Sequence, residues 1–235
     1  MSSPIKWPAL ILAVTIFVSL ICVSLISSPT PATADVSAKP KASSIVSTSR
    51  QTRGKAMWGP PSLNGVSQFP VYKDLGVGIY ELAIAWSDVA PTKPTNPKNP
   101  NDPAYVWQTD MEAIIKEANS YGMQVSMMVI GAPAWANGGY TDRAWTPTKT
   151  SDYADFMQAM SKKYPRIKYW MVWGEPNRSP NYKPLTPSRG GPLDANGSLA
   201  PRNYGTLLDK AYGAIKQIDK MDKVIGGNTY TAAGP

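Results

Sequence analysis

The sequence predicts an α/β fold with a parallel sheet that curves toward a barrel. Three observations carry this. Short apolar runs alternate with amphipathic stretches about five times along the chain, the pattern of βα units in series. The run Tyr169-Trp170-Met171-Val172-Trp173 is apolar throughout, as a strand covered on both faces must be. It stops abruptly in Gly174-Glu175-Pro176-Asn177. Pro176 cannot continue a hydrogen-bonded ladder, so Glu175 falls at the strand's carboxyl end.

In chain order, Lys55 to Trp58 reads as a first short strand. Phe69, Val71, Tyr72 and Leu75 predict a short helix that Gly76 stops. Gly78 to Trp86 is the second strand. Asp88 to Tyr105 carries Pro91, Pro94, Pro97, Pro100 and Pro103, which excludes helix and central strand and predicts a long stiff loop. Thr109 and Glu112 have capping-box spacing ahead of a helix striped by Met111, Ile114, Ile115 and Ala118. Gly122 ends it, and Met123 to Ile130 is the third strand. Tyr153, Phe156, Met157, Met160 and Tyr164 stripe the next helix, which ends before Pro165. The strand delivering Glu175 follows. Pro201 sits in the first turn of a helix whose inner stripe is Tyr204, Leu207, Leu208, Ala211, Ile215 and Ile218. Lys223 to Tyr230 reads as a fifth strand. No glycine-rich phosphate loop follows the first strand, so nucleotide binding has no support.

Composition narrows the chemistry. The 235 residues include no His, which removes imidazole acid/base chemistry, Ser-His-Asp catalysis and His-ligated metals. The single Cys, Cys22, lies in an N-terminal apolar run, so the domain has no disulfide or thiol nucleophile. Neither a metal nor a cofactor is expected, and carboxylates are what remain. The formal charge of +8 is scattered, with no Lys/Arg block of the kind that binds nucleic acid.

The chain begins as an export signal does. Lys6 is followed by an uncharged, mostly apolar stretch from Pro8 to Ile26, and Ala32-Thr33-Ala34 offers a cleavage site. Residues 1–34 are thus expected to be a signal peptide. The stretch 8–26 is long enough to serve instead as a membrane anchor. Either outcome puts the domain outside the cytoplasm, secreted or held at the outer face of the membrane. Residues 35–54, rich in Ser, Thr, Ala and Lys, read as a flexible linker. Residues 55–235 form the domain.

The segment Trp173-Gly174-Glu175-Pro176 resembles the acid/base strand of the clan A glycoside hydrolases, retaining enzymes on a (β/α)8 TIM barrel that include cellulases and β-xylosidases. Gly78 to Trp86, Val129 to Gly139 and Val224 to Thr229 are similar to strands two, three and five of such barrels, and the likeness runs from Lys55 to the end of the chain. The resemblance implies an oligo- or polysaccharide substrate and makes Glu175 the general acid/base. It departs from the family at Gly174, where Asn is usual, and at Ala85, near which an Arg is common.

Sugars stack on aromatic faces, so Trp58, Trp86, Trp135 and Trp173 are candidate substrate contacts. Trp173 stands two residues before Glu175 and so shares its direction on a regular strand. Trp170 points the other way. Asn137, Asn177 and Asn228 near strand ends are candidate hydrogen-bond partners for hydroxyls. Each has a plain alternative, in packing for Trp and turn capping for Asn.

A full barrel has eight strands in about 250 residues, and here five fit. A retaining glycosidase also needs a nucleophilic carboxylate about 5–5.5 Å from the acid, and no Glu follows Glu175. Glu112 and Glu117 fall on a helix, Glu81 low on the second strand, and Asp194, Asp209, Asp219 and Asp222 in a loop, a helix and a helix end. The chain therefore reads as a fragment lacking the nucleophile strand, inactive by itself. The alternative is a barrel that binds carbohydrate or cell-wall polymer without chemistry.

Overall fold

The computed structural model describes residues 54–185 and 199–230. The export signal or anchor, almost all of the linker, and Asp194 lie outside the described residues. Among those described, no helix is long and apolar enough to cross a membrane.

Strand β1 (Ala56–Trp58) is followed by a two-residue hairpin, β2 (Ser62–Leu63) and β3 (Val66–Ser67). The hairpin was not expected, though its turn is Asn64-Gly65, and both residues adopt the positive φ such turns need. Helix α1 (Phe69–Asp74) leads to β4 (Ile79–Ala85). Trp86 does not extend that strand but opens the short helix α2 (Trp86–Val89). Helix α3 (Met111–Ser120) has the expected stripe but not the capping box. Its N-cap is Asp110, in helical backbone geometry and without a side-chain cap bond. Then come β5 (Gln124–Ile130), α4 (Ala134–Asn137), α5 (Thr150–Lys163), β6 (Tyr169–Val172), α6 (Leu199–Ile218) and β7 (Lys223–Gly226). The last strand ends four residues earlier than the sequence suggested.

Five strands form one parallel sheet in the order β1-β4-β5-β6-β7. Each is a neighbour of the next in the chain. A doubly wound sheet reverses direction partway, and this one does not, which is the winding of a barrel.

Alternation divides the side chains between two faces. The row Leu82, Met127, Trp170 and Val224 and the row Ile84, Val129 and Val172 face the helices. There they join one core with Phe156, Met157 and Met160 of α5 and Leu207, Ala211 and Ile215 of α6. Trp170 therefore points away from the opposite face, as its parity required, and its indole N–H donates to buried Asp222 at 3.0 Å. Asp222 also pairs with Lys168 at 3.1 Å. On the opposite face, Trp58, Glu81, Ser126, Tyr169 and Lys223 share one row, and Ala83, Met128, Met171 and Ile225 the next toward the carboxyl ends.

Tyr204 of α6 ties two strand ends together. Its hydroxyl donates to the Val172 carbonyl at 2.8 Å and accepts the Gly227 N–H. Tyr204→Phe leaves both backbone groups without that partner. A loss of about 1–3 kcal/mol is expected in urea unfolding. An unchanged midpoint would show that water replaces the hydroxyl at no cost.

Candidate active site

The end of β6 is built by a backbone kink. Trp173 has φ 60° and Glu175 has φ 46°, on either side of Gly174. Non-glycine residues rarely adopt this geometry, which costs of order 1–3 kcal/mol each and clusters at functional sites. The kink breaks the strand's alternation. Trp173 turns into the helix layer, where it is buried between Tyr153 and Tyr182, and its indole N–H donates to the Asn181 carbonyl at 2.7 Å. It is core and offers no face to a substrate, contrary to the parity argument. Glu175 is left beyond the strand's carboxyl end, opening on a cleft of about 400 Å³.

Met128, Ile130 and Gly131 line that cleft from β5 and its exit. Asp142, Arg143 and Ala144 come from the following loop, Gly174, Pro180 and Asn181 from around the acid, and Asn228 from beyond β7. The Glu175 side chain is 24% exposed. Asn181 donates its amide to Oε2, and Arg178 Nη1 lies 3.4 Å from the same oxygen. No described donor reaches Oε1. The Glu175 N–H in turn donates to Asn228 Oδ1 at 3.4 Å.

The loop carrying the acid is clamped by the segment that follows β7. Asn177 and the backbone of Tyr230 exchange two hydrogen bonds, each 2.9 Å. The Arg178 guanidinium lies 4.3 Å over the Tyr230 ring. Asn177 is thus committed to holding the loop. Gly174 leaves room for Met128, because an added Cβ would lie 2.8 Å from Met128 Sδ and that flexible side chain would have to shift. Met128 occupies the space that a larger residue at position 174 would need.

Asp142 is a second carboxylate in the cleft wall, and it is occupied. Lys183 Nζ lies 2.6 Å from Oδ2, and the Ala144 N–H donates to Oδ1 at 2.9 Å. The Lys183 bond first, then the Ala144 bond, hold its carboxyl below the usual aspartate value. A native value below the unfolded one, about 3.9, means stability that is present above that pH and lost as pH falls through the lower native value. Wild type and Asp142→Asn are therefore expected to differ slightly in Tm above about pH 5 and to converge as pH falls through the lowered native value. A constant difference down to pH 2 would contradict the ion pair.

Several sequence candidates sit elsewhere. Trp86 is 1% exposed, stacked on Phe156 at 5.5 Å and edge-on to Trp135 and Tyr153, so it is core and not a sugar platform. Asn137 is buried. Its amide nitrogen faces the carbonyls of Ala132, Tyr140 and Asp142, and its oxygen accepts the Tyr140 N–H. It shapes the loop and does not line the cleft beside Glu175. Trp135 is half-buried outside the cleft wall, with its indole N–H on the Ala90 carbonyl at 2.8 Å. Trp58 is 72% exposed but stands in the row of Glu81, below the mouth. Glu81 itself is raised above the usual carboxylate value by burial and does not line the cleft. Glu112 faces outward to Lys163 at 2.8 Å. Asp219 and Asp222 hold Lys168.

Glu175 and Asn228 are thus the sequence candidates brought together. Arg143, Asn181, Arg178 and Asp142 were missed. All four lie on loops following strand ends, where a barrel keeps its functional groups. Loop sequence does not say which side chain turns inward.

No family model and no curated protein matches the chain. Solved structures do match. One is a family 39 glycoside hydrolase from Bacteroides cellulosilyticus WH2, at 17% identity and TM-score 0.52, covering 76% of this chain and 32% of that one. Another is a glucosidase from Croceicoccus marinus, at 14% identity and TM-score 0.52, covering 77% and 38%. The likeness is one of fold: a run of β/α units matching part of a TIM-barrel glycosidase. The chain spans about a third of the length of these structures.

Proposed function

We propose that the cleft is the catalytic site of an exported glycoside hydrolase, with Glu175 as its general acid/base. The observation that carries this reading is a carboxylate that lines a cleft of about 400 Å³ beyond a parallel strand's carboxyl end, held at Oε2 by Asn181 and Arg178 while no described donor reaches Oε1. A fixed oxygen and a free one suit an acid that must deliver a proton at a defined point. Glu175 would protonate the departing glycosidic oxygen, then take a proton from the attacking water. Arg143 and Asn228 would bind hydroxyls of a β-linked oligo- or polysaccharide. The nucleophile is assigned to none of the described residues, because Asp142 is already engaged and Glu81 stands a row below the mouth.

That same lack of a free second carboxylate in the described cleft favours one other reading, a glycan-binding barrel without turnover. Saturation-transfer NMR with β-linked xylo- and cello-oligosaccharides, paired with product analysis, separates the two. Binding that weakens about tenfold in Arg143→Ala, with products formed, supports the hydrolase. Binding without products in a protein that also carries a carboxylate on the later barrel strands supports the second reading. No transfer to any oligosaccharide contradicts both.

Residues 1–34 would export the domain, or 8–26 would anchor it at the outer face. The hydrolase would then act on glycans outside the cell. An extracellular species whose N-terminus is Asp35 fits cleavage, and a full-length species in the membrane fraction fits the anchor. Retention in the cytoplasm contradicts both.

A further inference from the structure

A second and larger cleft, about 640 Å³, lies on the other side of a ridge from Glu175. The ridge is a short pairing of two segments. Lys183 N–H donates to the Ala144 carbonyl at 2.8 Å, and Thr146 N–H to the Lys183 carbonyl at 2.9 Å. Its residues divide between the two sides. Asp142, Ala144 and Asn181 line the Glu175 cleft, while Trp145, Thr146 and Tyr182 line the larger one. The two clefts share no lining residue.

The larger cleft has the features of a ligand site. Tyr140 stacks on Trp145, with ring centroids 4.0 Å apart and planes within 8°, and Tyr140 remains half-exposed. The hydroxyl residues Thr146, Thr148, Thr150, Ser151 and Thr206 line the walls. Tyr182 is fully buried, and its hydroxyl has no hydrogen-bond partner among the described residues. A buried donor without a partner is costly to keep, and the residue that carries it borders an open cleft, so a ligand seated there reaches the hydroxyl as the side chain turns outward. Lys149 and Lys210 complete the wall, neither in an ion pair among the described residues, and no Asp or Glu lines it. Flat aromatic surface, many hydroxyls and unopposed positive charge suit a polyhydroxylated ring that carries a carboxylate.

We propose that this cleft is a second, non-catalytic binding site for a uronate-bearing glycan chain, which stacks on Tyr140, pairs its carboxylates with Lys149 and Lys210, and hydrogen-bonds the Tyr182 hydroxyl. It stands apart from the chemistry assigned to Glu175.

Affinity electrophoresis tests it, in gels containing polygalacturonate or neutral hydroxyethylcellulose. Polygalacturonate is expected to retard wild type and Glu175→Gln equally. Tyr140→Ala and Lys149→Glu/Lys210→Glu are expected to lose about tenfold or more in affinity. Tyr182→Phe changes no charge and removes an orphan hydroxyl, so it is expected to weaken retardation while Tm stays level or rises. That variant separates a built site from attraction to a basic protein, and it guards against misfolding of the others. Retardation that survives both Tyr140→Ala and Tyr182→Phe overturns the proposal. So does retardation lost on Arg143→Ala but not on Tyr140→Ala, or none on polygalacturonate at all.

Discussion

Glu175→Gln is expected to lower glycoside hydrolysis by the full-length protein by about 10²–10⁴-fold, the usual contribution of a positioned acid/base. The loss should fall on kcat, with oligosaccharide binding and Tm nearly unchanged. The amide has the shape of the acid, and its oxygen can still accept from Asn181 and Arg178, which hold Oε2 in the wild type. What it cannot do is give up a proton and take it back. The kinked backbone that carries the residue does not depend on its charge, since the Glu175 N–H bond to Asn228 and the Asn177–Tyr230 clamp are both independent of the carboxylate. Steady-state kinetics on aryl β-glycosides read this directly. An unaltered kcat would remove Glu175 from the chemistry.

The largest expected stability effect lies at Trp86. Trp86→Ala should cost about 3–5 kcal/mol in urea or guanidinium unfolding, the range for deleting a large buried aromatic. The side chain is almost wholly enclosed by Phe156, Tyr153 and Trp135. Those rings come from two helices and cannot collapse together into the space. A Trp that served as a sugar platform would behave in the opposite way, raising KM and sparing the unfolding midpoint. Trp86→Phe, which retains ring contact with Phe156, is expected to recover more than half of the loss.

The sheet and the position of the acid were legible in the sequence for identifiable reasons. Parallel strands covered by helices must be apolar on successive residues, so Tyr169–Val172 announced itself, and Pro176 fixed where the run had to stop. The helix stripes of α3 and α6 were readable because each packs one face on the core, whereas α5 is buried on every side from Phe156 to Ser161. Parallel pairing followed from βα alternation, and it appears as neighbouring strands β1-β4-β5-β6-β7.

The misses have equally specific causes. Period-two alternation put Trp173 beside Glu175, but alternation holds only for extended backbone, and φ 60° at Trp173 reverses the side chain. Nothing in the local sequence predicts that handedness at a tryptophan. Trp86 was read as the last residue of a strand because its neighbours are apolar, whereas it begins a helical turn and swings into the core. Asn137 looked like a free amide because the carbonyls that consume it belong to a loop whose path no pattern encodes. The Asn64-Gly65 hairpin was present in the sequence as a standard turn signal and went unread. Asn181 and Arg178, which hold the acid, are placed by tertiary folding of a loop without periodicity.

The measurement that tests the central claim most directly is the leaving-group dependence of Glu175→Ala. Proton donation matters in proportion to how poor the leaving group is. If Glu175 is the acid, hydrolysis of an alkyl or unactivated aryl β-glycoside collapses in the variant. Hydrolysis of the 2,4-dinitrophenyl glycoside survives its first step, and added azide accelerates turnover by attacking the glycosyl-enzyme as an anionic nucleophile that needs no general base, releasing the enzyme carboxylate and a glycosyl azide. A loss of the same size across all leaving groups, with no response to azide, would contradict the assignment.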